Sequence, residues 1–200
     1  MARNRLIFEG VPFRLDKIYT IIKRWIDECP QKVEMETDCS IRLRSHDISI
    51  PAIFFDGAFV DNSTGCGVWI KLSANERIHF YWNGGPGSNN KAELMALWGG
   101  LWVASDLSLQ DFHIYGDSKI VIGWVSNSYH LLSPHLHGWL ARTQNLWNRM
   151  LRPMINHIYR ENNTRADGLS KRGLQVDYGV IQFFRYRDGR VIQELKIPIP

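Results

Sequence analysis

Four acidic residues fall where expected strands or helices begin or end in this chain: Asp56, Glu93, Asp117 and Asp167. Asp56 closes the run Ala-Ile-Phe-Phe at 52–55, and Glu93 opens a helical stretch over 91–104. Asp117 follows a strand-like segment at 112–115, and Asp167 stands early in a helix after a strand-like segment at 154–160. A lone carboxylate against a packed core costs roughly several kcal/mol unless something compensates it. Carboxylates that converge also raise one another's pKa, whereas a divalent cation relieves the repulsion. Oxygen-only ligands favour Mg²⁺ or Mn²⁺. The chain must therefore fold so that strand ends and helix starts meet, and the pattern points to metal-assisted chemistry on a phosphate.

The apolar periodicity supplies such a fold. Residues 1–48 read as a separate N-terminal segment. Leu15, Ile18, Ile21, Ile22, Trp25 and Ile26 recur at helical spacing there, Pro30 stops the helix, and 31–48 is a linker or an edge strand. From 49 to 173 strands are expected at 52–55, 66–72 and 77–82, the last two joined by the turn Ser73-Ala74-Asn75-Glu76. Asn83-Gly-Gly-Pro-Gly-Ser is a breaker-rich loop. A helix over 91–104 follows, then a strand at 112–115, a short helix at 118–125 and a longer helix from Pro134 that Pro153 ends. A strand at 154–159 and a helix from 166 complete the domain. The order β-β-β-α-β-α-α-β-α predicts an α/β fold. Its sheet is mixed and five-stranded, an antiparallel meander with parallel additions, and helices cover both faces. The C-terminal extension 174–200 reads as a hairpin around Asp188-Gly189.

Composition narrows the setting. A hydrophobic share of 44% with 8 Trp, 9 Phe and 7 Tyr supports a sizeable core. No apolar run approaches the roughly 18 residues of a membrane span, and Arg3 and Arg5 are not followed by the apolar stretch of a signal peptide. The three cysteines form no CxxC pair, which suits a reduced intracellular compartment, nucleus or cytoplasm. Cys29, Cys39 and His46 match no zinc-finger spacing. The net charge of +4 is compatible with a polyanionic partner. Arg160, Arg165, Lys171 and Arg172 cluster around the candidate carboxylate Asp167.

Each acid has an ordinary reading as well. Asp56-Gly57 suits a turn, Asn90-x-x-Glu93 and Thr164-x-x-Asp167 resemble capping boxes, and Asp117 suits an N-cap. Taken together they read differently, because two carboxylates on neighbouring strands demand a cation or a shared proton.

The strings FFDGAFVDN (54–62), NNKAELMAL (89–97), YGDSKIVIGW (115–124) and RENNTRADGLSK (160–171) resemble the four motifs of the ribonuclease H type 1 family. More narrowly, they are similar to the ribonuclease-H-like domains of plant LINE-type (non-LTR) retrotransposons and derived host proteins. RNRLIFEG (3–10) resembles the segment joining such a domain to a reverse-transcriptase region in a longer polyprotein. The resemblance implies a ribonuclease-H-like fold and divalent-metal-dependent hydrolysis of the RNA strand of RNA–DNA hybrids. Two Mg²⁺ ions, replaceable by Mn²⁺, would be held by Asp56, Glu93, Asp117 and Asp167. It implies hybrid contacts from Asn62, Asn89 and Asn90 and a DNA-phosphate contact from Ser88. Gly57 and Ser118, beside the first and third acids, are grouped with these substrate contacts. Many relatives carry a His-bearing loop before the last acid. Here Glu161-Asn162-Asn163 stands in a shorter connection, His157 falls inside the expected strand, and the basic substrate-gripping helix of some members is missing. These departures keep a second reading open, a catalytically weak or inactive nucleic-acid-binding or scaffold module. A third is a transposase or Holliday-junction nuclease of the same fold.

Overall fold

The computed structural model describes residues 50–150 and 152–199, all within one compact unit. The helix and linker expected in 1–48 lie outside the described residues.

Strands β1 (Ala52–Val60), β2 (Ser63–Lys71) and β3 (Glu76–Pro86) form the antiparallel meander. Asp61 and Asn62 turn β1 into β2 with φ of 47° and 61°. Positive φ at both central residues is what a two-residue hairpin of type I′ needs, and Asp and Asn tolerate it. Strands β4 (Asp111–Gly116) and β5 (Arg152–His157) then add in parallel beside β1. Among the described residues the sheet has seven strands rather than five, in the order β5-β4-β1-β2-β3-β6-β7. The two additions are β6 (Val180–Arg187) and β7 (Arg190–Pro198), a hairpin around Asp188 and Gly189 that pairs with β3.

Strand β3 runs through the segment expected to be a loop. The ladder slips between Thr64 and Gly65, so that Gly84 is left without a partner, and Gly85 takes a φ of +72°. A bulge built on glycine lets the strand bend and continue. Thr64 Oγ1 donates to the Gly85 carbonyl at 2.7 Å across this point. Pro153 sits in β5 rather than simply ending a helix, and among the described residues β5 is an edge strand, where a missing N–H is tolerated.

Two helix layers enclose the sheet. Helix α1 (Asn89–Asp106) is buried nearly all the way round. It lies close on the strands because Gly99 and Gly100 face Trp82 and Ile53, with no room for larger side chains. Helices α2 (Lys119–Val125) and α3 (Pro134–Arg149) pack beside it. Helix α4 (Thr164–Gly173) covers the opposite face, where Gly65 and Gly67 of β2 admit its backbone. The core between α1 and the sheet is Ile53, Phe55, Val68, Ile70, Ile78, Phe80 and Trp82, all fully buried. Among the described residues no helix is long and apolar enough to cross a membrane.

Candidate active site

Parallel pairing of β1 with β4 ends at Phe54 opposite Tyr115, so the next residues of both strands emerge side by side. Asp56 thus projects from the middle of β1, two residues past that register, and Asp117 from just beyond β4. Glu93 reaches them from the first turns of α1. Gly57 makes this approach possible: a Cβ there would lie 2.2 Å from the Glu93 nitrogen. The Gly57 N–H instead donates to the Glu93 carboxylate. One carboxylate oxygen from each of Asp56, Glu93 and Asp117 lies within 4.8 Å of the others.

The trio is buried as well as crowded. Asp56 is 3% exposed and Glu93 4%. Burial, reinforced by the charges of Asp117 and Asp167, pushes the Asp56 carboxyl up to about 7, against a hydrogen bond from Ser170 that favours ionisation. Burial also drives Glu93 well above the usual carboxylate range, with Asp56 and Asp117 adding to the effect. Glu93 Oε2 is buried and has no hydrogen-bond partner among the described residues. A buried carboxylate oxygen left unpaired is costly, and a cation is the partner that would satisfy it.

Asp167 behaves differently. It sits in the first turn of α4 and takes ion pairs from Arg160 at 2.9 Å and Lys171 at 2.6 Å. Partial burial works against its ionisation, but these two hydrogen-bonded cations outweigh it and hold the carboxyl below its ordinary value. The structure therefore brings three of the four expected acids together and turns the fourth toward two cations, though Asp56 still feels its charge. Two guanidinium and ammonium partners are better company for a carboxylate than three like charges.

None of the acids serves as a helix cap. The N-cap of α1 is Ser88, which accepts from the Lys91 N–H at 3.3 Å. The N-cap of α2 is Ser118, accepting from the Val121 N–H at 3.4 Å, and that of α4 is Asn163. Asn89 is exposed and Asn90 half-buried in the first turn of α1, while Asn62 is exposed in the β1–β2 turn, six residues along the chain from Asp56. His157 closes β5 with its Nε2 3.2 Å from the Asp117 carbonyl, and burial pushes its pKa down. Glu161 is exposed in a 3₁₀ turn, Arg160–Asn162.

Three supporting residues had no assigned role in the sequence. Ser170 donates to Asp56 Oδ2 at 2.5 Å. Asn163, 1% exposed, donates through Nδ2 to the Phe55 carbonyl at 2.9 Å and to Asp117 Oδ1 at 3.3 Å. Lys91 Nζ donates to the Gly84 and Pro86 carbonyls, tying the bulged end of β3 to α1. Asn163 and Ser170 both lie inside the string that contains Asp167, and the Asp167-x-x-Ser170 spacing puts the hydroxyl one helical turn from the acid.

Residues 54–173 match the family described as Reverse transcriptase-like. The chain is similar to Ribonuclease HI of Halobacterium salinarum, at 30% identity over 124 residues, covering 60% of this chain and 62% of that protein. It spans about three fifths of the length of the curated relatives it matches. The crystal structure of RNase H1 from Halobacterium salinarum NRC-1 superposes with a TM-score of 0.57 at 26% identity, covering 62% of this chain and 97% of that one. LC11-RNase H1, solved in complex with RNA/DNA hybrid, shares the fold with a TM-score of 0.55 at 24% identity, covering 62% and 96%.

Proposed function

We propose that this chain, which belongs to the reverse transcriptase-like family and carries a ribonuclease H type 1 domain, is a divalent-metal-dependent endonuclease hydrolysing the RNA strand of RNA–DNA hybrids. The observation that carries this reading is the buried trio Asp56, Glu93 and Asp117, its ligand oxygens within 4.8 Å and one oxygen of Glu93 unpartnered. The donor set is oxygen only and suits Mg²⁺ or Mn²⁺. Asp56, Glu93 and Asp117 would hold the metal, and Asp167 would join them on release from Arg160 and Lys171. Two such cations, when bound, supply an activated water and neutralise charge on the leaving 3′ oxygen, which leaves 5′-phosphate and 3′-hydroxyl ends.

The chain's own residues prepare that site. Ser170 fixes the rotamer of Asp56 and favours its ionised form. Asn163 ties Asp117 to β1, and the Gly57 N–H orients Glu93. Asn62, Asn89 and Asn90 offer amides suited to reading a 2′-hydroxyl. Ser88 and Asn89, at the start of an 18-residue helix, suit a DNA phosphate, and Gly57 and Ser118 flank the acids. The motif resemblance further supports descent from a LINE-type retrotransposon and a reverse-transcriptase region as partner. Residues 1–48 would be the joining segment, 49–173 the nuclease domain and 174–200 an extension, working in the nucleus or cytoplasm.

The test is cleavage of a labelled RNA–DNA hybrid in Mg²⁺ or Mn²⁺ beside an Asp117→Asn control; no cleavage above that control would sink the reading. The engagement of Asp167 by Arg160 and Lys171 favours one alternative, a nucleic-acid-binding module without catalysis. Tight hybrid binding that ignores Mg²⁺ and yields no product would decide for it.

A further inference from the structure

From Arg77 to Trp82, before its bulge, strand β3 alternates across the sheet. Ile78, Phe80 and Trp82 are buried toward α1, so Arg77, His79 and Tyr81 face the side that α4 covers. With only ten residues, α4 leaves part of that face open. A recess of about 420 Å³ lies there, lined by Arg77, His79, Arg165 and Arg172 among others. A second, of about 350 Å³, shares Arg77 and Arg165 with the first and runs on past Lys71 to the β2–β3 turn. The two make one elongated groove.

Its cations are held in an unusual way. Arg77 lies over the Tyr186 ring at 5.0 Å, Arg165 over Trp69 at 4.5 Å and Arg172 over Tyr81 at 4.8 Å. None of the three has a carboxylate partner among the described residues. Glu76 lines the second recess, and its carboxylate is already paired with Arg185 and Arg187. A cation–π contact uses the flat face of a guanidinium and leaves its N–H edges available, and Arg172 spends one of them on the Tyr81 hydroxyl at 3.3 Å. Those edges are the part that grips phosphate, and a guanidinium fixed on a ring gives up less entropy in doing so. The buried Nε2 of His79 has no partner either. Burial and the neighbouring arginines push His79 down to about 4, so the ring adds no charge to the groove at pH 7.

We propose that this groove, on the sheet face opposite α1, is a second nucleic-acid site that holds the phosphates of a single strand. The occupant is a strand rather than a lone phosphate because the cationic groove continues through two recesses. It is single rather than duplex because the guanidiniums sit in a recess on the sheet, which a flexible backbone can follow. The site is independent of the catalytic reading, since it uses none of the acids and none of the asparagines assigned to the hybrid.

The test uses the full chain in EDTA, so that the presence or absence of cleavage does not affect it. Binding of a fluorescent single strand of about 15 nucleotides is followed by anisotropy. Replacing both Arg77 and Arg165 with Gln should weaken binding about tenfold or more and lower the log–log salt slope by roughly 1.4. The pair Arg77→Lys with Arg165→Lys, which keeps the charge but removes the fork, should weaken it about threefold. On the unaltered protein, the strand should protect Arg77 and Arg165, but not Arg190, from an arginine-selective dicarbonyl reagent read by peptide mass mapping. Gln variants that bind within about twofold of the parent would overturn the proposal, as would absent protection. Displacement of the strand by inorganic phosphate at roughly 10 mM, or equal affinity for a blunt duplex, would overturn it too.

Discussion

Ser170 Oγ donates a 2.5 Å hydrogen bond to Asp56 Oδ2, joining α4 to the middle of β1 across 114 residues of chain. The bond favours the charged form of a carboxylate that burial and two neighbouring acids otherwise hold protonated. It therefore acts on readiness for metal as well as on packing.

Removing that hydroxyl should move the acidic limb of activity. In Ser170→Ala, Asp56 loses the hydrogen bond that lowers its pKa, so the limb shifts to higher pH. A hydrogen bond contributing about 1 kcal/mol corresponds to roughly 0.7 pH unit. The profile of kcat/KM against pH on a hybrid substrate reads this directly. A limb that stays in place would show that Ser170 serves packing alone.

Without metal, the trio should make the protein less stable as pH rises. Asp56 has a folded pKa near 7 against about 3.8 when unfolded, so the folded state binds the extra proton. Its stabilising effect is complete below the unfolded value and is lost as pH rises through about 7. Glu93 is raised too and acts in the same direction. Asp56→Asn should then gain stability at pH 8 in EDTA, by up to about 4 kcal/mol, and much less at pH 4. Mg²⁺ or Mn²⁺ at tenfold over its Kd should restore about 1.4 kcal/mol to the parent at pH 8 and nothing to the variant. Thermal melts at the two pH values, with and without the ion, check both statements, and an Asp56→Asn protein less stable than its parent at pH 8 would contradict them.

Asn163 should matter to the fold more than its surface-rich motif suggests. Its side chain satisfies the Phe55 carbonyl and Asp117 from a nearly fully buried position. Asn163→Ala leaves a buried carbonyl unpaired and should cost about 1–3 kcal/mol in urea unfolding. Asn163→Asp should cost more, because it places another carboxylate beside the trio. Equal stability of the two variants would argue against this account.

The elements with strong periodicity could be read from the sequence, and so could the nearness of two acids, since Asp56 interrupts an apolar strand and Asp117 ends its neighbour. What escaped depends on partners far away in the chain. The bonds of Asn163 and Ser170 span 108 and 114 residues, and no local spacing announces them. The orientation of Asp167 is the outcome of a contest between two cations on α4 and its flank and three carboxylates across the sheet, which residue order does not decide. Asn83-Gly-Gly-Pro-Gly-Ser looked like a loop because glycine and proline break ideal strands, yet a bulge needs just such residues. The extra two strands follow from β3 having a free side, which a count of segments up to 173 does not reveal.

The hairpin of β6 and β7 covers that side, and this bears on how the protein can be shortened. Cutting the chain after Gly173 would uncover the outer side of β3 over 76–82 as a row of unsatisfied amides and carbonyls, an invitation to strand-by-strand self-association. Among the described residues the outermost strand on that side, β7, carries Arg190, Glu194, Lys196 and Pro198, residues that discourage such stacking. A trimmed version confined to the motif region would thus be expected to aggregate even with every acid in place.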